Sequence, residues 1–133
     1  MSDNPMRILV VEPTKYPYVK EIDGSLASMQ AVVGGFIQVV EPFDDPNVLL
    51  VCNEDGKVIG LPENRFLRNR NGIPYDIIHG TFFLAQGSGE SFCSLTDKQI
   101  QTYTRLYTRE KLFVMQHGKV INQPKKGKST QER

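Results

Sequence analysis

Tryptophan is absent from this chain, and cysteine and histidine occur only twice each in 133 residues. Cys52 and Cys93 form no CxxC pair and no disulfide framework, which excludes zinc ribbons and dithiol redox motifs. Each lies in an apolar, strand-like run and reads as a small buried hydrophobe, a usage that suits a reducing compartment. His79 and His117 have no Asp, Glu or Cys at ligand spacing, so no metal site is expected. No apolar stretch approaches the roughly 20 residues needed to span a bilayer. Residues 1–7 include an acid and lack the apolar centre of a signal peptide. The formal net charge is +1, so no global field draws the chain to nucleic acid or to an anionic membrane. These absences point to the cytoplasm of the cell that makes it, with no membrane partner and with nucleic acid disfavoured.

Signs of catalysis are missing too. Gly87 to Glu90 has the wrong spacing for a Gly-x-Ser-x-Gly elbow and no base is identifiable for Ser88 or Ser91. The acid pairs Asp44–Asp45 and Glu54–Asp55 sit in turn sequences, where Asp serves backbone geometry. No enzyme, no catalytic residue and no cofactor is expected.

What is present suits one globular domain, with 39% apolar and 23% charged residues. The expected organisation is a flexible leader over 1–6, a single domain over 7–121 and a disordered basic tail over 122–133, where Lys125, Lys126, Lys128 and Arg133 stand among polar residues. Residues 7–12 are a continuous β-branched run and read as a buried strand. Pro13 and Pro17 break it. Asp23 is the expected N-cap of a helix whose stripe is Leu26, Met29 and Val33. Gly34 and Gly35 end that helix, one of them as a left-handed cap.

Strands follow over 36–41 and 48–52. Asn53 to Gly56 is a reverse turn, with a return strand over 57–61. Pro62 suits the first position of a short helix over 62–67. A polar loop over 68–74 leads to a strand over 76–85, with Gly80 at a bulge or close approach. The Gln86–Ser91 segment reads as a flexible loop. Thr96 and Gln99 form a capping box for a second helix over 97–110, with Ile100, Tyr103 and Tyr107 on its apolar face. Residues 113–115 suggest a short last strand. Mostly consecutive strands with helices set apart define an α+β class: a mostly antiparallel sheet of about five strands, two main helices covering one face, and a single compact domain.

Several of these segments together resemble a small domain of unknown function found in phages and bacterial mobile elements. They are Ile8 to Val11, the pattern L-x-x-M-Q-x-x-V-G-G-x-I over 26–37, Asn53 to Gly56, L-P-x-N over 61–64, Ile78-x-Gly80 and Ser94 to Thr96. The resemblance spans about residues 7–110. It implies a small cytosolic α+β domain carried on a mobile element, and it transfers no catalytic residue.

The polar stretch Asn64 to Arg70 is the first candidate site. Arginine forks match phosphate bidentately. Arg65, Arg68 and Arg70 would neutralise the ligand, Phe66 would stack on a base and Asn64 would hydrogen-bond. A solvated basic turn over a buried Phe66 is the competing reading. Gly87, Ser88 and Gly89 are the second candidate, a lid closing through backbone amides. Tyr16 and Tyr18, between and beside prolines, read as partly exposed contacts. The functional expectation is a non-enzymatic phage or mobile-element accessory protein. It binds a small anionic ligand, such as a nucleotide immune signal that it sequesters, either as a monomer or as a homo-oligomer. The alternatives are a module that inhibits or adapts a host protein, and a weak nucleic-acid binder.

Overall fold

Strand β1, Met6–Val11, is apolar at five of its six positions and is buried almost throughout. A strand of that kind needs cover on both faces, and the architecture provides it. The computed structural model describes residues 5–88 and 91–121. After β1 come β2 (Tyr18–Ile22), α1 (Leu26–Val33), β3 (Ile37–Val40), β4 (Val48–Asn53), β5 (Glu63–Arg68), β6 (Pro74–His79), β7 (Phe82–Ser88), β8 (Ser91–Cys93) and α2 (Asp97–Ile121). The main sheet has the order β2-β1-β7-β4-β3, with β8 paired to β7, and every pairing is antiparallel. β5 and β6 form a separate antiparallel hairpin. The α+β class and the single domain hold. Among the described residues no helix is long and apolar enough to cross a membrane.

The two helices lie on opposite faces, a correction to the expectation of one shared face. Met29 and Val33 of α1 pack with Ile8, Val10, Val51 and Phe83. Tyr103 and Tyr107 of α2 pack with Leu9, Leu50, Phe82 and Leu84, joined by Leu67 and Ile78 of the hairpin. Alternation along β1 sends neighbouring residues to opposite layers, and chain order alone does not say which layer a helix covers. Leu26 was expected on the buried stripe of α1 but is exposed, because the one-turn-earlier end of so short a helix overhangs the sheet.

Local chemistry explains the helix ends. Thr96 and Gln99 form the reciprocal capping box, with backbone-to-side-chain bonds of 2.8 and 3.1 Å. The Arg7 amide donates to Ser94 Oγ at 2.8 Å and the Leu95 amide to the Arg7 carbonyl at 3.0 Å, which anchors the start of α2 to β1. Gly34 is the left-handed cap of α1, at φ 79°. The N-cap of α1 is Ser25, whose hydroxyl accepts from the Ser28 amide at 3.1 Å. Asp23, the expected cap, acts one step earlier: its Oδ1 accepts from Ser28 Oγ at 2.5 Å and from the Ser25 amide at 2.9 Å.

Those bonds, that of the Ser28 hydroxyl foremost, hold the Asp23 carboxyl down at about 2. A folded pKa below the unfolded one stabilises above the unfolded value and is lost as pH falls through the folded one. Asp23 therefore helps hold the α1 entry above about pH 4 and ceases to as pH approaches about 2. A carboxyl-carbon NMR titration is expected to show Asp23 titrating near 2, and in Ser28→Ala its midpoint moves up toward the ordinary Asp range. A midpoint already in that range in the unaltered protein would contradict the capping role.

Four segments differ in kind from their sequence reading. Residues 18–22, unassigned after the prolines, form edge strand β2, held in register by β1. Residues 57–61 are not a strand. They coil through bonds such as Ile59 N to Asp55 O at 3.0 Å and Leu61 N to Gly56 O at 2.9 Å, leaving Val58 and Ile59 exposed. The expected short helix over 62–67 is instead strand β5, Glu63–Arg68. Register shifts after Glu63 and after Leu67 break its alternation, so four successive residues are buried and no period of two is visible. The expected strand over 76–85 is two strands in different sheets, β6 and β7, broken at Gly80, where φ is 88°.

Two further corrections concern the C-terminal half. The segment read as a flexible loop over 86–91 largely forms the arms of the β7–β8 hairpin, with Gly87 opposite Phe92 and Ser88 opposite Ser91. Gly89 lies outside the described residues. Residues 113–115 continue α2, which runs to Ile121 rather than ending near 110; the local β-branched content is outweighed by an unbroken helix with no proline or cap to stop it. β1 starts at Met6, inside the expected leader, and the tail over 122–133 lies outside the described residues.

Candidate functional site

The β5–β6 hairpin lies over the main sheet beside α2, and its turn brings the Asn64 to Arg70 stretch to three different environments. Asn64 and Arg65 point inward and are fully buried. Asn64 Nδ2 donates to the carbonyls of Val11 at 2.9 Å and Gly80 at 2.8 Å, stitching the hairpin to the main sheet. Arg65 donates from Nε to Tyr107 O at 3.0 Å, from Nη2 to Lys15 O at 2.6 Å and from Nη1 to Asn64 Oδ1 at 2.7 Å. Burial pulls its guanidinium down to about 10, and Tyr107 and Glu110 pull the other way. It remains charged at neutral pH and serves as an internal strut between α2, β5 and the β1–β2 loop.

Arg68 and Arg70 take the other side. Together with Phe43, Phe66, Tyr107 and Glu110 they line a cleft of about 220 Å³ between the hairpin turn and α2. Pro42 and Asp44 of the β3–β4 loop close one end. Arg68 Nε donates to Glu110 Oε2 at 2.8 Å and its Nη1 to Gly72 O at 2.7 Å, with the guanidinium 5.2 Å from the centre of the Phe66 ring. That packing fixes Arg68 as part of the wall. Arg70 is different. Among the described residues its ion pair is with Asp44 at 3.9 Å, and the two side chains are 92% and 84% exposed. An ion pair so open contributes roughly 0–1 kcal/mol, so a phosphate that engages the fork bidentately can displace it.

Gly87 of the Gly87–Gly89 candidate does not line this cleft. The Gly87 amide already donates to Asn47 O at 2.9 Å, and a Cβ at Gly87 would come within 2.5 Å of Leu49 Cδ1. Glycine serves close packing there. Ser88 lies in β7.

Reading the sequence missed Phe43, Asp44 and Glu110. For Glu110 a signal existed: it stands three residues after Tyr107, itself four after Tyr103, so the face of α2 that carries the tyrosines also carries an acid. Burial raises the Tyr107 hydroxyl well above its ordinary value, and burial followed by Asp45 and Asp44 raises that of Tyr103; both phenols stay neutral.

A second cavity, of about 400 Å³, lies between β6 and the β3–β4 edge and includes Cys52, Lys57, Asp76 and His79. The Lys57 ammonium is committed to Asp76. His79 Nδ1 lies 2.8 Å from Leu61 O and must be the donor there, since a carbonyl only accepts.

A layered α+β domain with an arginine-lined cleft defines the class: a small scaffold with a cleft on its hairpin side. Within that class the chain belongs to the family described as a domain of unknown function (DUF3846), whose model matches residues 6–108. No curated protein and no solved structure matches the chain.

Proposed function

We propose that the domain is a non-enzymatic binding module that captures a small anionic molecule, a nucleotide, in the cleft between the β5–β6 turn and α2. The observation that carries this reading is Arg70, an arginine on the wall of an aromatic-lined cleft whose ion pair among the described residues is an exposed 3.9 Å one with Asp44. The cleft of about 220 Å³ is below the roughly 300–1,000 Å³ of pockets that enclose a drug-sized ligand. It takes one ring system and leaves the phosphate at the open mouth beside Arg70. In the setting that the phage and mobile-element resemblance suggests, the role is sequestration of a nucleotide signal in the host cytoplasm, with the ligand released unaltered.

Thermal unfolding in the presence of nucleotides tests this. A ligand at 100 times its Kd stabilises by about 2.7 kcal/mol, a shift of several degrees. Arg70→Ala is expected to remove most of that shift while leaving the ligand-free midpoint unchanged. A flat response across mono-, di- and cyclic nucleotides at millimolar concentration would sink the reading. The second reading, docking on a host protein, has its own support: Phe36, Val58 and Ile59 are exposed apolar residues, and Phe36 and Ile59 line a surface depression of about 290 Å³. A flat nucleotide screen would favour it.

A further inference from the structure

Glu110 lines the inner part of the cleft, and its side chain is only 10% exposed. Its Oε2 accepts from Arg68. Its Oε1 is buried and has no hydrogen-bond partner among the described residues. A sealed carboxylate oxygen without a donor is an unfavourable arrangement, because a charged acceptor loses its hydration with nothing in return. Nearly every other buried side-chain polar atom of the hairpin junction is engaged, Asn64 and Arg65 included, which sets Glu110 apart. The terminal torsion of glutamate is soft, so a small rotation presents Oε1 to the cleft. The group that completes this site must be a donor, and a ligand acceptor placed there would be repelled.

We infer that the cleft reads a donor edge as well as a phosphate, and that its ligand class is the guanine nucleotides, with the base edge on Glu110 and the phosphate at Arg70. This rests on the anion-binding reading above and narrows it. Guanine places two adjacent N–H donors, N1–H and the 2-amino group, on one edge, which matches a carboxylate. Adenine and cytosine set a ring-nitrogen acceptor beside their amino group, and uracil flanks its single N–H with two carbonyls. Size agrees as well: a cavity of about 150 Å³ takes a benzene ring, so about 220 Å³ takes a two-ring base and little more.

Calorimetric titration of the full chain with guanosine monophosphate, adenosine monophosphate and inorganic phosphate tests the inference. Guanosine monophosphate is expected to bind at least tenfold tighter than the adenosine compound. Glu110→Gln should abolish that preference, since its amide cannot accept two donors. Arg70→Ala should weaken both nucleotides about equally and keep the preference. N1-methylguanosine monophosphate, which has lost one donor, should bind the unaltered protein about as weakly as the adenosine compound, and this comparison needs no variant to fold. Equal affinity for both bases with dependence on Arg70 would overturn the guanine inference and leave the anion reading standing. No binding of any of the three would overturn both.

Discussion

Arg65→Ala is expected to lower the unfolding free energy by about 3–5 kcal/mol, from acceptors that lose their donor and from the volume left empty in the interior. Arg65 is the largest fully buried side chain. Its loss leaves Asn64 Oδ1 without its donor in the interior, at roughly 1–3 kcal/mol, takes from Tyr107 O the bond it accepts beside its helical one, and opens a cavity beside them. Lys15 O loses a 2.6 Å bond as well. Those acceptors belong to α2, β5 and the β1–β2 loop, so one guanidinium holds three segments in place. At about 4 °C per kcal/mol for a domain of this size, the midpoint falls by roughly 12–20 °C. Chemical denaturation followed by circular dichroism measures it.

Two companion variants separate the causes. Arg65→Lys keeps the charge, but an ammonium cannot spread its donors as a planar fork does, so it should recover less than half of the loss. Arg65→Met keeps most of the volume and none of the donors. If Arg65→Ala were within 1 kcal/mol of the unaltered protein, the strut assignment would fall. Because Arg65 lies in the interior, its removal is also a poor probe of ligand binding, and Arg70 is the informative arginine for that purpose.

Gly80→Ala is expected to destabilise by about 3 kcal/mol, for two separable reasons. At φ +88° a residue with a Cβ is strained by roughly 1–2 kcal/mol. The new methyl would also sit 2.6 Å from Leu61 Cδ1 and 3.3 Å from Leu61 Cβ, so the side chain must be displaced. Gly80 is where the chain leaves the hairpin sheet for the main sheet, and its amide and carbonyl are both bonded, to Pro62 O at 2.7 Å and from Asn64 Nδ2 at 2.8 Å. Backbone adjustment there would break those bonds. Leu61→Ala combined with Gly80→Ala removes the clash and not the strain, so in a double-mutant cycle the pair should couple favourably by about 1 kcal/mol or more. Strict additivity would show that contact with Leu61 is not part of the loss.

Much of this architecture was readable from residues alone, for local reasons. The capping box at Thr96 and Gln99, the left-handed cap at Gly34 and the buried run of β1 each depend on a few neighbouring residues and elementary stereochemistry, and the structure has them. The α+β class followed from the succession of such elements. The candidate site was legible only in part. The stretch from Asn64 to Arg70 does reach a cleft, but only from Phe66 onward, with Asn64 and Arg65 buried in the interior.

What remained hidden depends on contacts between segments distant in sequence. Register shifts in β5 erased the alternation that marks a strand, so its four buried residues read equally well as a helix beginning at Pro62. The strand over 76–85 shows one apolar run, and only the positive φ at Gly80 divides it between two sheets. Three arginines of like composition were split by tertiary packing into an internal strut, a wall and an open fork, because the acceptors that enclose Arg65 come from Tyr107, Lys15 and Asn64. The residue sequence by itself determined the helix caps, the turn chemistry and the apolar runs, since each is an interaction over a few positions. The assignment of helices to opposite faces, the separate hairpin and the cleft walled by α2 were decided only when long-range burial chose which of those local possibilities could be satisfied together.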